Sequence, residues 1–190
     1  MTEVDINDER SVRINRLEQL QNEGINPYPS NAERTHTNKK ALEAEHETEV
    51  TIVGRVRAKR DFGKIIFADI EDKSGLIQIV FKKDEIEDKL RDKFSDKTDL
   101  GDFIQVTGLR FETQKDEESV LVKDWKFLAK SIRPLPEKFH GLEDKETKLR
   151  KRYLDFVENP AERELFRRKA TFWNKVRNFM QERDFLEVHT

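Results

Sequence analysis

Between Lys64 and Phe81 two apolar alternations run up to and away from Asp72-Lys73-Ser74-Gly75, and few patterns constrain a chain so tightly. Ile66, Ala68 and Ile70 fall on one face of a strand, and Ile77, Ile79 and Phe81 on one face of the next. If 72–75 forms the turn, the antiparallel register pairs Ile70 with Ile77, Ala68 with Ile79 and Ile66 with Phe81, so the two apolar faces coincide. The same register sets Phe67 opposite Val80 and Asp69 opposite Gln78 on the water-facing side, with Phe67 and Gln78 as diagonal neighbours. An outward phenylalanine has two readings. One is a partly covered surface aromatic. The other is a stacking platform for an unpaired base, worth about 1 to 3 kcal/mol per base, beside an amide able to donate and accept at base edges.

The neighbouring sequence supplies the rest of a barrel. Val50 to Lys59, Phe103 to Phe111 and Ser119 to Lys130 are strand-like, and Ile86 to Phe94 is a charged, helix-like insert between the third and fourth strands. Five strands with a helix in that position is the order of an OB-fold, a common binder of single-stranded nucleic acid. Ahead of it, Val12, Ile14, Leu17 and Leu20 recur at helical spacing over Ser11 to Glu23, with Gly24 at the C-cap and Pro27 and Pro29 beyond. Asn31 to Glu49 is polar and without period, and reads as a connector or mobile arm. The fold class expected is β-rich α+β: a five-stranded OB barrel with an N-terminal helix and a helical segment after it.

Charge decides what the barrel can bind. The 37 basic and 39 acidic residues leave a net charge of -2, so nucleic-acid contact must come from a local patch, and strong non-specific DNA binding is not expected. Arg55, Arg57 and Lys59 lie on the outward parity of the first strand and Arg60 ends it, which reads either as a phosphate-neutralising row or as an ordinary solvated strand face. With 40% of its 190 residues charged and 35% hydrophobic, the chain is lean for one globule, so part of it should lie outside the core. It has no cysteine and no apolar run near the roughly 20 residues that span a bilayer, and Met1 to Asp8 lacks the pattern of a signal peptide. A cytoplasmic chain with no membrane partner is expected. His36, His46, His140 and His189 have no partners at metal-ligand spacing, and no Gly-rich phosphate loop or nucleophile elbow occurs, so neither a metal nor a catalytic residue is assigned.

Two motifs bring a family into view. Arg133-Pro-Leu-Pro-Glu-Lys-Phe-His-Gly-Leu142, followed by Leu149-Arg-Lys-Arg-Tyr-Leu-Asp155, resembles the hinge of lysyl-tRNA synthetases. Lys59-Arg60-Asp61-Phe62-Gly63, Phe67-Ala68-Asp69 and Gly75-Leu76-Ile77-Gln78 are similar to the anticodon barrel shared by lysyl-, aspartyl- and asparaginyl-tRNA synthetases. Carried over by position, the resemblance implies that Arg60 contacts the anticodon loop, Phe67 stacks on its central uridine, Gln78 reads a base edge, and Glu117 also reads the anticodon. The hinge speaks against the aspartyl type.

After the hinge, Asn159, Pro160 and Glu162 make a good helix start, and Leu165, Phe166, Phe172, Trp173, Val176, Phe179 and Met180 form an apolar stripe. That helix and a strand beginning Phe185-Leu186-Glu187-Val188 resemble motif 1 of class II synthetases, which builds their dimer interface, except that Asp184 stands where the motif has glycine. Motifs 2 and 3, whose arginines hold ATP, are absent. The implied organisation is a helix and arm over 1–49, the anticodon barrel over 50–131, the hinge over 132–158 and the start of a class II domain over 159–190. The expected function is recognition of a lysine tRNA anticodon loop as the N-terminal part of a lysine–tRNA ligase. The full enzyme would be a homodimer using ATP and magnesium, and this chain alone is expected to be inactive and to bind no cofactor. The alternative is a free-standing OB module that binds tRNA or single strands without catalysis.

Overall fold

The structure, a computed structural model, describes residues 8–113, 117–135 and 144–188, in two compact units, Met1–Pro134 and Leu135–Thr190. In the first unit, α1 (Glu9–Asn22) and α2 (Asn38–Leu42) precede β1 (Glu49–Asp61), β2 (Ile65–Asp72), β3 (Gly75–Lys82), α3 (Asp88–Lys97), β4 (Phe103–Glu112) and β5 (Glu118–Ala129). The strands close into a barrel in the order β1-β2-β3-β5-β4, an OB-fold with its helix between the third and fourth strands as expected. Every neighbouring pair is antiparallel except β3 with β5, a short parallel seam.

The β2–β3 hairpin has the register its alternation dictates: Ile66, Ala68 and Ile70 face Phe81, Ile79 and Ile77, and all six are buried. Its turn is tied by one carboxylate. Asp72 Oδ1 accepts from the Ser74 amide at 2.6 Å, the Ser74 hydroxyl at 2.5 Å and the Gly75 amide at 3.2 Å, an Asx turn. Phe94 of α3 stacks on Phe81 with ring centroids 4.0 Å apart and meets Trp125 of β5 edge-on at 5.2 Å, joining the helix to the core. Where β4 bends against β5, Gly108 comes so close to its neighbour that a Cβ there would lie 2.2 Å from the Leu121 carbonyl oxygen.

The segment ahead of the barrel is packed more tightly than its polarity suggests. Gly24, at φ +75°, closes α1, with the Ile25 amide bonding back to the Leu20 carbonyl at 2.9 Å. Arg13, on the charged side of the sequence pattern, is buried, and its Nη1 donates to the carbonyls of Leu100 and Ser131 at 3.0 and 3.1 Å. The stretch read as a connector or arm holds α2, whose Asn38 is fully buried and donates through Nδ2 to the carbonyls of Ile70 and Gly75 at 3.0 Å each. It is fastened by hydrogen bonds, and these leave no apolar period to read.

The second unit has α4 (Lys145–Arg150), α5 (Arg152–Glu158) and α6 (Pro160–Gln181). Residues 136–143 of the hinge motif lie outside the described residues; Arg133, Pro134 and Leu135 before them are irregular, and Leu149 to Asp155 runs from the end of α4 through a turn at Lys151 into α5. Asn159 caps α6 by accepting from the amides of Ala161 and Glu162, while the Glu162 side chain turns to Arg152 at 3.8 Å instead of completing a capping box. Phe172, Trp173 and Phe179 on the predicted stripe are exposed. The strand expected from Phe185 is not formed: 185–188 has no strand neighbour among the described residues, and a strand needs one to exist. Asp184, in place of the motif's glycine, takes φ 62°, the left-handed region that glycine occupies without strain.

Candidate nucleic-acid interface

Strand pairing carries one row of side chains across the barrel. Arg60 of β1 lies opposite Phe67 of β2, Phe67 opposite Val80 of β3, and Val80 opposite Leu121 of β5. Gln78 sits on the same outward parity of β3, two residues from Val80. Together with Glu117 these residues line a single cleft of about 490 Å³, so all four positions singled out in the sequence meet in one place. Phe62, Lys82 and Phe111 complete its walls.

Phe67 is half-buried and meets Phe62 edge-on, with centroids 6.0 Å apart at 76°. Phe62 itself is 69% exposed, so its loop needs other support. The loop is braced from α3: the Ser95 hydroxyl donates to Asp61 Oδ2, Arg91 Nη1 donates to the Gly63 carbonyl, and Asp61 Oδ1 accepts from the Gly63 amide at 2.7 Å. The Ser95 hydroxyl first, and then the Gly63 amide, hold the Asp61 carboxyl below the usual carboxylate range. Arg60 is exposed and reaches Asp69 at 3.4 Å. Glu117 is exposed, and its carbonyl accepts from the Thr113 amide at 3.0 Å.

Two expectations are corrected here. Gln78 and Val80 do not face water; they are 6% and 4% exposed, because the parallel seam lays β5 beside them. Ser119 is directly opposite Gln78, and its hydroxyl lies 3.0 Å from Gln78 Oε1. The cationic row on β1 also does not form. The register shifts between Val56 and Ala58, a bulge at Arg57 that reverses the parity beyond it, so Lys59 is opposite the core residue Ala68. Lys59 Nζ donates to the carbonyls of Ser95 and Thr98 at 2.7 Å each, and burial pulls its pKa down. Arg57 pairs with Glu71 at 3.3 Å, and Arg55 lies over the Phe103 ring at 4.3 Å. Of the four cations only Arg60 lines the cleft, joined by Lys82 of β3. Lys82 shares the parity of Gln78 and was open to recognition in the sequence; Phe111 and Ser119 reach the site only through barrel closure.

No helix of the described residues is long and apolar enough to cross a membrane, and no cluster of three or more His, Asp or Glu among them is placed to hold a metal.

Comparison with known proteins places the two units separately. Residues 50–135 match the OB-fold nucleic acid binding domain named for the tRNA anticodon, and residues 144–190 match the tRNA synthetases class II (D, K and N). The lysine–tRNA ligase of Roseiflexus castenholzii is 42% identical over 193 residues, covering 98% of this chain and 40% of that protein. That of Carboxydothermus hydrogenoformans is 43% identical over 193 residues, covering 100% and 39%. The lysylphosphatidylglycerol biosynthesis bifunctional protein LysX of Gordonia bronchialis is 41% identical over 179 residues, covering 94% and 16%. The chain therefore spans about two fifths of the length of the ligases it matches.

Proposed function

Since the chain belongs to the lysine–tRNA ligase family of class II synthetases, we propose that its barrel binds the anticodon loop of a lysine-accepting tRNA in the cleft around Phe67. The observation that carries this reading is the convergence of Arg60, Phe67, Gln78 and Glu117 on one cleft with aromatic walls, with Lys82 as a second cation in its lining. Phe67 serves as the platform for the central base, Gln78 reads its edge, Glu117 meets a second base, and Arg60 with Lys82 holds phosphate. A chain with net charge -2 suits this division, in which stacking supplies affinity and, among the described residues of the cleft, Arg60 and Lys82 address the backbone.

Titration with a uridine-rich anticodon stem-loop at two salt concentrations tests the assignment. Phe67→Ala should weaken binding by about 1 to 3 kcal/mol. Arg60→Ala should weaken matched and mismatched loops alike and flatten the salt dependence, whereas Gln78→Ala should mainly relax discrimination. Equal affinity of Phe67→Ala and the parent chain would sink the reading.

The wider activity follows from the same relationship: ATP- and magnesium-dependent activation of lysine and its transfer to tRNA, by a cytoplasmic homodimer that uses the apolar face of α6 for pairing. The arginines that hold ATP in class II synthetases belong to motifs 2 and 3, which are not in this sequence, so the chain by itself should show no lysine-dependent pyrophosphate exchange. Exchange in a preparation free of host ligase would refute that. A non-catalytic binding module differs only in lacking the reaction and predicts the same stem-loop results.

A further inference from the structure

Ser119 is fully buried on the seam, and neither its residue type nor its place in the sequence marks it as part of a recognition site. Its Oγ stands 3.0 Å from Gln78 Oε1 and 3.1 Å from the main-chain oxygen of Glu117. A serine hydroxyl has one proton to give and two lone pairs with which to accept. Only one of the two oxygens can therefore receive that proton at a time.

Each choice leaves Gln78 with a different face toward the cleft. If the proton goes to Gln78, Oε1 is held against the seam and Nε2, for which no partner stands among the described residues, is left for a ligand. Gln78 then presents a donor. If the proton goes to Glu117, the hydroxyl can only accept from Gln78, and the amide must turn over and show Oε1 to the cleft. The two acceptors are not equally needy. The Glu117 carbonyl already accepts from the Thr113 amide at 3.0 Å, whereas Gln78 Oε1, on a residue 6% exposed, has no other donor within the described residues. An unsatisfied buried acceptor is costly, so the proton is worth more on Gln78.

We infer that Ser119 is a specificity-determining residue that fixes the polarity of the Gln78 amide, so that the cleft selects a nucleobase carbonyl over an exocyclic amine. Ser119 touches no base; it acts by positioning Gln78. For a pyrimidine stacked on Phe67, the outward Nε2 meets O4 of uracil as donor to acceptor, and the N4 amine of cytosine as donor to donor. The inference rests on the anticodon-loop reading above.

The test compares binding of the chain to two anticodon stem-loops that differ only by uridine or cytidine at the central position. The parent chain should prefer uridine. Ser119→Ala should shrink that preference by about two- to tenfold, the value of one hydrogen bond, with the salt dependence unchanged. Gln78→Ala should shrink it at least as far, and adding Ser119→Ala to Gln78→Ala should change nothing further. Ser119→Cys, similar in shape and a weaker donor, should fall between, and it carries the test if the alanine variant does not fold. An unchanged preference in Ser119→Ala, equal weakening of both loops, or a full additional loss in the Gln78→Ala background would each overturn the inference while leaving the site intact. If Phe67→Ala and Gln78→Ala also leave both affinities untouched, it is the anticodon-loop reading that has failed.

Discussion

Replacing Lys130 by methionine should cost far more than the loss of a surface lysine, and the cost should depend on pH in an unusual direction. The Lys130 side chain has 0% exposure; its Nζ pairs with Asp102 Oδ2 at 2.6 Å and also with Asp99. Asp102 is equally buried, and accepts besides from the amides of Asp99 at 2.8 Å and Ser131 at 2.7 Å. Methionine keeps the length of the side chain but strands that carboxylate, a loss of about 3 to 5 kcal/mol for a broken buried pair. For a unit of this size, Tm should fall by roughly 10 to 20 °C. Burial already pushes the Asp102 carboxyl above its ordinary range, against the pull of Lys130, and removing the cation pushes it further. An acid whose folded pKa exceeds its unfolded value gains stability as pH falls from the folded pKa toward about 3.9, and loses it as pH rises. The gap in Tm between Lys130→Met and the parent should therefore narrow from pH 8 to pH 5, and adding Asp102→Asn should recover part of the loss at pH 8. Calorimetric or circular-dichroism melts across that range decide the matter. A variant within about 1 kcal/mol of the parent at pH 8, or a gap that widens on acidification, would refute the stranded-charge argument.

Other perturbations separate fold from site. Ile66→Ala should cost about 2 to 5 kcal/mol in urea unfolding through the cavity it leaves, while Phe67→Ala, one residue away on a half-buried face, should cost no more than about 1 to 2 kcal/mol. Gly108→Ala must displace the Leu121 backbone and should destabilise by at least about 2 kcal/mol; a neutral melt would show that β4 can retreat. At the hairpin turn, burial raises the Asp72 pKa, but hydrogen bonds from Ser74, Asn38 and Gly75 outweigh it and leave the carboxyl below its ordinary value. Its contribution is present above about pH 4 and lost as pH falls through the lower folded value, so Asp72→Asn should flatten the acid limb of the stability curve; an unchanged limb refutes this. Asp184→Gly relieves a positive φ at the end of α6 and should raise its helicity in circular dichroism, a gain of about 1 kcal/mol; lower helicity would count against the strain.

What the sequence made legible was what alternation over a few residues can encode. The β2–β3 pairing followed from six apolar positions and one turn, and with it the place of Phe67. The N-cap at Asn159 and the glycine after α1 were equally local signals. Three features escaped, each for its own reason. The bulge at Arg57 adds one residue to a strand without altering its composition, so Lys59, the outward position counted beyond it, was assigned to the wrong face. The burial of Gln78 arises from contact with β5, distant in the chain, and no local pattern reports it. Asn31 to Glu49 is held by hydrogen bonds from Thr35 and Asn38, residue types that also fill free loops.

The parallel seam has a consequence for the order of events in folding. It joins β3 to β5 through Gln78, Ile79 and Val80 against Ser119, Val120 and Leu121, and the chain between them must first lay down α3 and the whole of β4. Closure of so long a loop earns only three ladder positions, so the seam should zip late, after both hairpins exist, and reopen before them. Among these six residues, the amide protons that bond across the seam should exchange through a sub-global opening, with less protection than those bonded into the β2–β3 and β4–β5 ladders. A ligand lodged across β2, β3 and β5 spans that opening and must leave before the barrel can gape. Exchange at the seam thus becomes a clock for residence time, readable in the unmodified protein.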